Sequence, residues 1–302
     1  MRAFLFPGQG SQKVGMDAGL PRRRFDEADA ALGYSLSSII ASGPEAELQR
    51  TANTQPALLT VSVAWLDELA QRGIEADVVA GHSLGEYAAL VYAGALGFSD
   101  AVRLVHLRGQ FMQEAVPEGQ GAMAAIIGLE GKTVADTCRE ASPDDSDACQ
   151  PANFNGAGQV VIAGHRGAVE RAMKLAKEKG AKIVKVLPVS APFHSALMAP
   201  AAYKLAQALI DVPLAAMKVP VVANVTAEPY QDSSQTKALL SRQVTGSVRW
   251  EESVLALVKL GVTEAYEVGS GSVLRGLVKR IAPSIAVVDL PTMGPPTPGS
   301  AA

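Results

Sequence analysis

The sequence predicts an α/β fold in which a parallel sheet, covered by helices, carries a smaller inserted domain. Three observations support this prediction. Apolar runs with strand composition alternate with helical segments towards both ends of the 302-residue chain. Between them the order of elements changes to β-α-β-β-α-β. The hydrophobic content of 48% provides core for one large domain or two of unequal size.

The first third of the chain supplies the alternating part. The predicted elements are, in order, a strand at 3–6, a helix at 55–71, a strand at 77–80 and helices at 86–93 and 100–114. The first strand ends in the glycine-containing loop 7–12, and Gly73 stops the first helix. Ser99 is the predicted N-cap of the helix at 100–114.

The middle of the chain predicts the inserted domain. Its elements are a strand at 122–127, a helix at 132–140, strands at 148–152 and 159–163, a helix at 168–179 and a strand at 181–189. This order is the split-βαβ pattern, so we expect a small ferredoxin-like domain at residues 120–189.

The large domain resumes after this insertion. Its predicted elements are a strand at 219–225, a helix over 254–260, a strand at 264–268 and a helix that ends at Arg280. The large domain is therefore predicted to be discontinuous, with residues 1–119 and 190–290. Residues 291–302 are rich in Pro and Gly and predict a disordered tail.

Composition excludes several classes of function. A net charge of −3 gives no reason to expect nucleic acid or an anionic membrane as a partner. Cys138 and Cys149 form neither a metal-ligand pattern nor a disulfide framework, so we expect no metal site and a cytoplasmic location. The N-terminus lacks a signal-peptide pattern, and no apolar run approaches the roughly 20 residues of a membrane span.

The most informative motif is Gly81-His82-Ser83-Leu84-Gly85, which reads G-x-S-x-G between a predicted strand and a predicted helix. In this context the serine lies on a sharp turn, exposed to substrate, as in an α/β-hydrolase-like core. Backbone N–H groups at the start of the helix can stabilise an oxyanion. The alternative is an ordinary glycine-rich turn, because G-x-S-x-G also occurs by chance.

A serine nucleophile needs a base, and four histidines are available. His82 adjoins Ser83 and therefore points in another direction, whereas His106 and His165 lie in a predicted helix and a predicted turn. His194 lies where the chain returns to the large domain, and domain junctions often form active-site clefts. On position alone His194 is a candidate base, since neutral imidazole titrates near pH 6.5.

Arg108 is the second informative residue. With Leu104, Phe111 and Met112 it falls on one apolar stripe of its predicted helix. A guanidinium in that position either extends to the surface or binds an anion, and the sequence leaves both possibilities open. Arg103 points away from the stripe and is predicted to be a solvated charge.

Four segments together resemble the malonyl-CoA:acyl carrier protein transacylases of bacterial type II fatty acid synthesis. They are Phe6–Gln12, Gly81–Glu86, Arg108–Met112 and Ala191–Ser195, in that order and at the family's spacing. Further similar segments include Thr54–Ala57, Asn153–Asn155 and Glu267–Gly269. The resemblance extends from residue 1 to about residue 290.

The resemblance implies a site and a mechanism. Ser83 is the implied nucleophile, His194 the base, and the backbone N–H groups of Gln9 and Leu84 the oxyanion hole. A backbone carbonyl, not an acidic residue, orients the histidine in this family. Arg108 is implied to bind the malonyl carboxylate as a planar fork. The other implied substrate-binding residues are Met112, Asn153, Phe193 and Gln243.

The implied substrates are malonyl-CoA and phosphopantetheinylated acyl carrier protein, with no bound cofactor and no metal. Phe193 and Leu84 resemble the malonyl-selective members of the wider acyltransferase group. We expect a monomer, because no dimerisation pattern is visible. Three alternatives stay open: a stand-alone malonyl acyltransferase that serves a polyketide synthase, a serine thioesterase or hydrolase, and a non-enzymatic acyl-binding module.

Overall fold

Two sheets and their covering helices organise the protein, and a computed structural model describes residues 1–189 and 191–291 of it. The strands are β1 (Arg2–Phe6), β2 (Val78–Gly81), β3 (Gly121–Ile127), β4 (Cys149–Gly156), β5 (Gln159–His165), β6 (Ile183–Val186), β7 (Val221–Val222), β8 (Pro229–Tyr230), β9 (Glu264–Glu267) and β10 (Ala286–Val288). The α-helices are α1 (Arg23–Leu32), α2 (Leu36–Ser42), α3 (Glu45–Gln49), α4 (Thr51–Gln71), α5 (Gly85–Ala93), α6 (Phe98–Glu114), α7 (Gly131–Ala141), α8 (Arg166–Glu178), α9 (Ala199–Leu209), α10 (Thr236–Thr245), α11 (Trp250–Lys259) and α12 (Val273–Ile281).

The larger sheet has the strand order β10-β9-β1-β2-β7-β8. All neighbours are parallel except the β7–β8 pair. Strand β1 is apolar on both faces, and its alternating side chains enter two different cores. Phe4 and Phe6 pack with residues of α4 and α5, whereas Ala3 and Leu5 pack with residues of α11 and α12. The predicted helix-covered parallel sheet is therefore confirmed.

The smaller sheet has the order β4-β5-β3-β6 and is antiparallel throughout. Helices α7 and α8 pack together, and their buried residues form a third core with Ala124, Ile126 and Ile162. This strand order, with one helix after β3 and one after β5, is the predicted ferredoxin-like arrangement. The domain boundaries at residues 120 and 189 stay a prediction.

Several predicted elements differ from the observed ones. Ser99 is not an N-cap: α6 begins at Phe98 after Gly97, and the Ser99 hydroxyl donates to Glu27 Oε1 over 3.1 Å. The strands predicted at 181–189 and 219–225 shorten to β6 and β7, whereas the strand predicted at 148–152 extends to Gly156. Helix α4 begins four residues before the predicted start.

Across residues 1–189 and 191–291, none of the helices is both long and apolar enough to cross a membrane. The predicted disordered tail, 291–302, lies outside the described residues from position 292 onward.

Candidate active site

The G-x-S-x-G motif forms the turn between β2 and α5. Ser83 has a φ of 52°, which is the left-handed region that side chains rarely adopt. Gly85 begins α5 against the backbone of β1, and a Cβ atom there would overlap with the Phe6 carbonyl. Gly81 is equally tight, because its Cβ would overlap with the backbone of Gly85. The two glycines allow the approach that holds Ser83 in a strained, outward position.

Ser83 and His194 are in hydrogen-bond contact. The distance from Ser83 Oγ to His194 Nε2 is 2.8 Å, although 111 residues separate them in the chain. His194 Nδ1 donates to the backbone carbonyl of Gln243 over 2.8 Å, which leaves Nε2 free to accept the serine proton. Position alone left the role of His194 open, and the structure brings it to the nucleophile.

The imidazole of His194 is neutral at physiological pH. It is buried, and this burial, reinforced by the nearby Arg108 charge, lowers the pKa of His194 to about 3. His194 itself has a φ of 58°, so the base as well as the nucleophile is held in an unfavourable backbone conformation. A neutral, fixed imidazole is the form that a general base requires.

Arg108 does not extend to the surface. Only 2% of the residue is exposed, and its Nη2 lies 3.1 Å from Ser83 Oγ. The other acceptors are side-chain oxygens of Gln55, 2.7 Å from Nη1, and Gln243, 3.0 Å from Nη2. Nε has no partner, and no carboxylate forms an ion pair with Arg108 within the described residues. Burial lowers the pKa of Arg108.

Arg103, which precedes Arg108 on α6, is a solvated charge as predicted. Half of its side chain is exposed, and it pairs with Asp100 at 2.9 Å. The two arginines of one helix therefore have different environments, and only Arg108 brings a positive charge to the nucleophile.

Three polar residues behind the serine turn were not assigned a role from the sequence. Asn224, which follows β7, accepts from the Ser83 backbone N–H over 2.6 Å and donates to the Gly81 carbonyl over 2.6 Å. Glu86, on the first turn of α5, accepts from Asn224 N at 3.0 Å. Glu86 and Gln55 occur in motifs that resemble the family, whereas no sequence pattern distinguishes Asn224.

A cleft of about 630 Å³ opens above these residues, and many predicted site residues line it. They are Gln9, Ser83, Arg108, Met112, Asn153, Phe193 and His194. Leu187 and Val189 line the wall that follows β6, and Leu274 and Leu277 line the wall formed by α12. The cleft thus has a polar floor and apolar walls, as small-molecule sites commonly do.

Gln243 is not part of the cleft wall. It is fully buried behind Arg108, and its Nε2 donates to the Ser83 carbonyl over 3.0 Å and to Glu86 Oε2 over 2.7 Å. The structure therefore shows Gln243 as a support for Arg108 and for the serine turn. Its direct contact with substrate stays a prediction.

The backbone N–H groups of Gln9 and Leu84 are candidates for the oxyanion hole, which requires unpaired donors. Neither is hydrogen-bonded to another described residue. Leu84 precedes the first residue of α5, where the helix dipole is positive. Loop 7–12 packs closely against the serine turn. A Cβ atom added at Gly8 would lie only 2.6 Å from the His82 carbonyl oxygen.

The other three histidines have partners away from Ser83 Oγ. His82 Nε2 contacts Asn155 Oδ1 at 2.9 Å, and its ring packs against Trp250. His106 donates to the Ala52 carbonyl over 2.9 Å. His165 contacts the backbone of Ala148. These contacts agree with the expectation that His82 packs rather than acts as the base.

Comparison with known proteins identifies the family. Residues 3–284 match the sequence model of the acyl transferase domain. The chain belongs to the acyl transferase family.

Individual members of the family are close in sequence and structure. The malonyl CoA-acyl carrier protein transacylase of Escherichia coli K12 is 52% identical over 286 residues, which cover 92% of each chain. An acyl carrier protein S-malonyltransferase from Vibrio cholerae superposes with a TM-score of 0.92 at 47% identity, covering 95% of this chain and 96% of that one. A malonyl-transacylase solved in complex with a type II polyketide synthase acyl-carrier protein has the same TM-score, 0.92, at 45% identity, with 95% of each chain covered. This acyl transferase is thus similar, along almost its whole length, to members named as malonyl transferases.

Proposed function

We propose that this acyl transferase moves a malonyl group from malonyl-CoA to the phosphopantetheine thiol of acyl carrier protein through a malonyl-serine intermediate. The observation that carries the proposal is the buried Arg108 guanidinium, which lacks an ion-pair partner within the described residues and lies 3.1 Å from Ser83 Oγ. A cation beside the nucleophile selects an acyl group that ends in a carboxylate. The names of the relatives support the same substrate.

The first half-reaction uses the Ser83–His194 pair. Ser83 Oγ attacks the thioester carbonyl carbon of malonyl-CoA while His194 Nε2 takes the hydroxyl proton. The carbonyl oxygen becomes an oxyanion, to which the N–H groups of Gln9 and Leu84 donate. The C–S bond then breaks, the CoA sulfur takes the proton from His194, and malonyl-serine remains.

The second half-reaction reverses these steps with a different thiol. His194 Nε2 takes the proton of the phosphopantetheine thiol, whose sulfur attacks the ester carbonyl of malonyl-serine. The C–O bond to Ser83 breaks, and the serine oxygen recovers the proton from His194. All groups that move protons belong to the protein or to its two substrates, so the proposed mechanism requires neither a metal nor a bound cofactor.

The remaining cleft residues shape the acyl site. Met112 and Phe193 provide apolar surface next to Arg108 and His194, and Asn153 lies on the small-sheet side of the cleft. We assign selectivity against an α-methyl branch to Phe193, which adjoins the base. A single methyl group in such a pocket gives only about 1–3 kcal/mol of discrimination.

A serine hydrolase or thioesterase is the alternative in a different class. The contact of His194 Nδ1 with a backbone carbonyl, and the unpaired Arg108, favour acyl transfer of a charged acid over hydrolysis. The solved complex of a relative with a polyketide synthase carrier protein keeps a polyketide role as the second candidate.

Cys138 and Cys149 are free buried thiols, which supports the proposed cytoplasmic location.

Intact-protein mass spectrometry after mixing with malonyl-CoA tests the proposed function. We expect an adduct with the mass of a malonyl group on the wild-type protein, which disappears when holo acyl carrier protein is added. Ser83→Ala should form no adduct, because the nucleophilic oxygen is gone, and Ser11→Ala is a control in the same cleft. An adduct that persists in Ser83→Ala contradicts the assignment of the nucleophile.

A further inference from the structure

The carboxyl group of Glu86 is completely buried beneath the serine turn and touches neither the cleft nor Ser83 Oγ. Its Oε2 accepts two hydrogen bonds, from the backbone N–H of Asn224 over 3.0 Å and from Gln243 Nε2 over 2.7 Å. Its Oε1 has no partner within the described residues. Burial of a carboxyl group has a free-energy cost, so we ask what its two hydrogen bonds do for the site.

The two residues that Glu86 contacts hold the nucleophile, the base and the cation of the proposed mechanism. Asn224 fixes the Ser83 backbone N–H, and Gln243 Nε2 fixes the Ser83 carbonyl at 3.0 Å. The Gln243 backbone carbonyl orients His194, and its side-chain oxygen accepts from Arg108 Nη2. Glu86 is therefore linked to the nucleophile, the base and the cation through one intervening residue, Asn224 or Gln243.

The orientation of the Gln243 side-chain amide determines whether its oxygen or its NH₂ group faces Arg108. An amide has an acceptor end and a donor end, and only the acceptor end stabilises a guanidinium. Because Glu86 Oε2 accepts from Nε2, the oxygen Oε1 is the atom that faces Arg108. Without an acceptor at position 86, Nε2 keeps only the Ser83 carbonyl and, at 3.5 Å, Asn224 Oδ1 as acceptors among the described residues, so the amide is held less firmly. Its reversal would place an NH₂ group against the cation.

We propose that Glu86 is a positioning residue that fixes the Gln243 amide and thereby presents Arg108 to the carboxylate of the acyl substrate. The essential property is an acceptor oxygen in the place of Oε2. Ionisation is not required, because a carboxyl group that carries a proton on Oε1 still accepts at Oε2. This inference rests on the proposed function, since it concerns selection of an acyl group with a terminal carboxylate.

Two substitutions separate the acceptor from the rest of the side chain. Glu86→Gln keeps the volume and can place its amide oxygen where Oε2 lies, whereas Glu86→Leu fills similar space with no acceptor. The measurement is the rate of adduct formation with malonyl-CoA and with acetyl-CoA, and the quantity compared is the ratio of the two. Acetyl has no carboxylate, so it reports on Ser83 and His194 without Arg108.

We expect Glu86→Leu to lower the malonyl-to-acetyl ratio by about 10-fold or more, since a buried donor and the guanidinium lose their alignment. Glu86→Gln should restore the ratio to within about threefold of wild type, because hydrogen bonds to a neutral acceptor retain much of the geometry. In an Arg108→Ala background, E86L should leave the ratio unchanged, since the cation through which it acts is absent.

Each other result overturns the inference. An unchanged ratio in a folded E86L protein, or an equal change in the Arg108→Ala background, shows that Glu86 does not act through Arg108. A ratio as low in E86Q as in E86L shows that charge, not an acceptor, is needed, and E86Q decides this even where E86L does not fold. Malonyl loading of the wild-type protein on Ser83 tests the proposed function separately, so the two failures are distinguishable.

Discussion

At the scale of single residues, the environment of Arg108 explains why a charged side chain lies inside an apolar helix stripe. A buried charge without an ion-pair partner is strongly unfavourable, and the neutral oxygens of Gln55 and Gln243, with the Coulombic attraction of the nearby Glu86 carboxyl, compensate only part of that desolvation. A substrate carboxylate would supply the missing opposite charge. The site therefore binds its acyl group partly through the attraction between the substrate carboxylate and the buried positive charge of Arg108.

Replacement of Arg108 tests this account. We expect Arg108→Ala to lower kcat/KM for malonyl-CoA by about 100-fold or more, since a charge-assisted bidentate contact is lost, while acetyl-CoA is spared. Arg108→Lys should recover only part of the malonyl activity, because an ammonium lacks the planar fork. Arg103→Ala, on the exposed face of the same helix, is the control. Equal losses for both acyl groups would show that Arg108 has a structural role only.

Local patterns in the sequence predicted the residues whose chemistry depends on their immediate neighbours. Ser83 was predicted by the glycines around it, and Arg108 was distinguished by its apolar stripe. Asn224 could not be predicted in the same way, because it reaches the serine turn only when β7 pairs with β2. The partners of Glu86 were equally invisible, since Gln243 approaches from a helix 157 residues away.

At the scale of elements, the serine turn depends on how closely α5 approaches β1. The helix begins at Gly85, directly over the Phe6 carbonyl, and this contact leaves no room for a side chain. The strain of Ser83 is therefore supported by the strand and helix packing around it, and not by the turn alone.

A pair of glycine substitutions measures this support. Gly85→Ala should lower the free energy of unfolding by about 2 kcal/mol or more, because the added methyl overlaps with backbone. Gly276→Ala in α12 is the matched helical control, as the nearest atom to its Cβ is Arg280 Nη1 at 3.7 Å. That control should raise the free energy of unfolding by about 0.5–1 kcal/mol. Urea unfolding of both variants checks the contrast, and similar values would contradict the tight approach.

The start of α4 shows why element boundaries were less predictable than element types. Pro56 lies inside the helix and cannot donate to the carbonyl of Ala52, which leaves that carbonyl without its usual helical partner. His106 of α6 donates to this carbonyl instead, over 2.9 Å. A side chain from another helix thus satisfies the group that proline leaves unpaired, and no local pattern contains that information.

At the scale of the whole molecule, strand β4 of the smaller sheet contacts the segments that carry and orient the base. Asn153 on β4 forms a bridge with Val248, and Gln150 on the same strand donates to the His194 and Thr245 carbonyls. The smaller sheet therefore supports the segment that carries His194. The element sequence predicted the ferredoxin-like arrangement of the smaller sheet, but neither the strand order of the larger sheet nor this junction, because their contacts connect distant parts of the chain.

Burial of His194 links the stability of the whole protein to pH. The folded-state pKa is about 3, whereas the unfolded chain titrates near 6.5. Between these values the unfolded state binds the proton and the folded state does not, so stability is complete above about pH 6.5 and falls as the pH decreases. The maximum slope from one such group is about 1.4 kcal/mol per pH unit.

The measurement compares urea unfolding of the wild-type protein with that of His194→Gln between about pH 7 and about pH 5. We expect the wild-type protein to lose more stability than the variant over this range. His82, whose pKa burial also lowers, and Glu86, whose pKa burial raises to about 7, are present in both proteins and act as internal controls. Parallel pH profiles would show that His194 does not retain its neutral form through burial.

The sequence separation of 111 between Ser83 and His194 has a consequence for synthesis of the chain. A ribosome produces the serine turn first, then the whole smaller sheet, then the base, and later Gln243, which orients that base. Until residue 194 is made the serine has no proton acceptor, and until residue 243 is made that acceptor lacks the carbonyl that orients it. A nascent chain that stops before residue 243 therefore lacks a group on which activation of Ser83 depends.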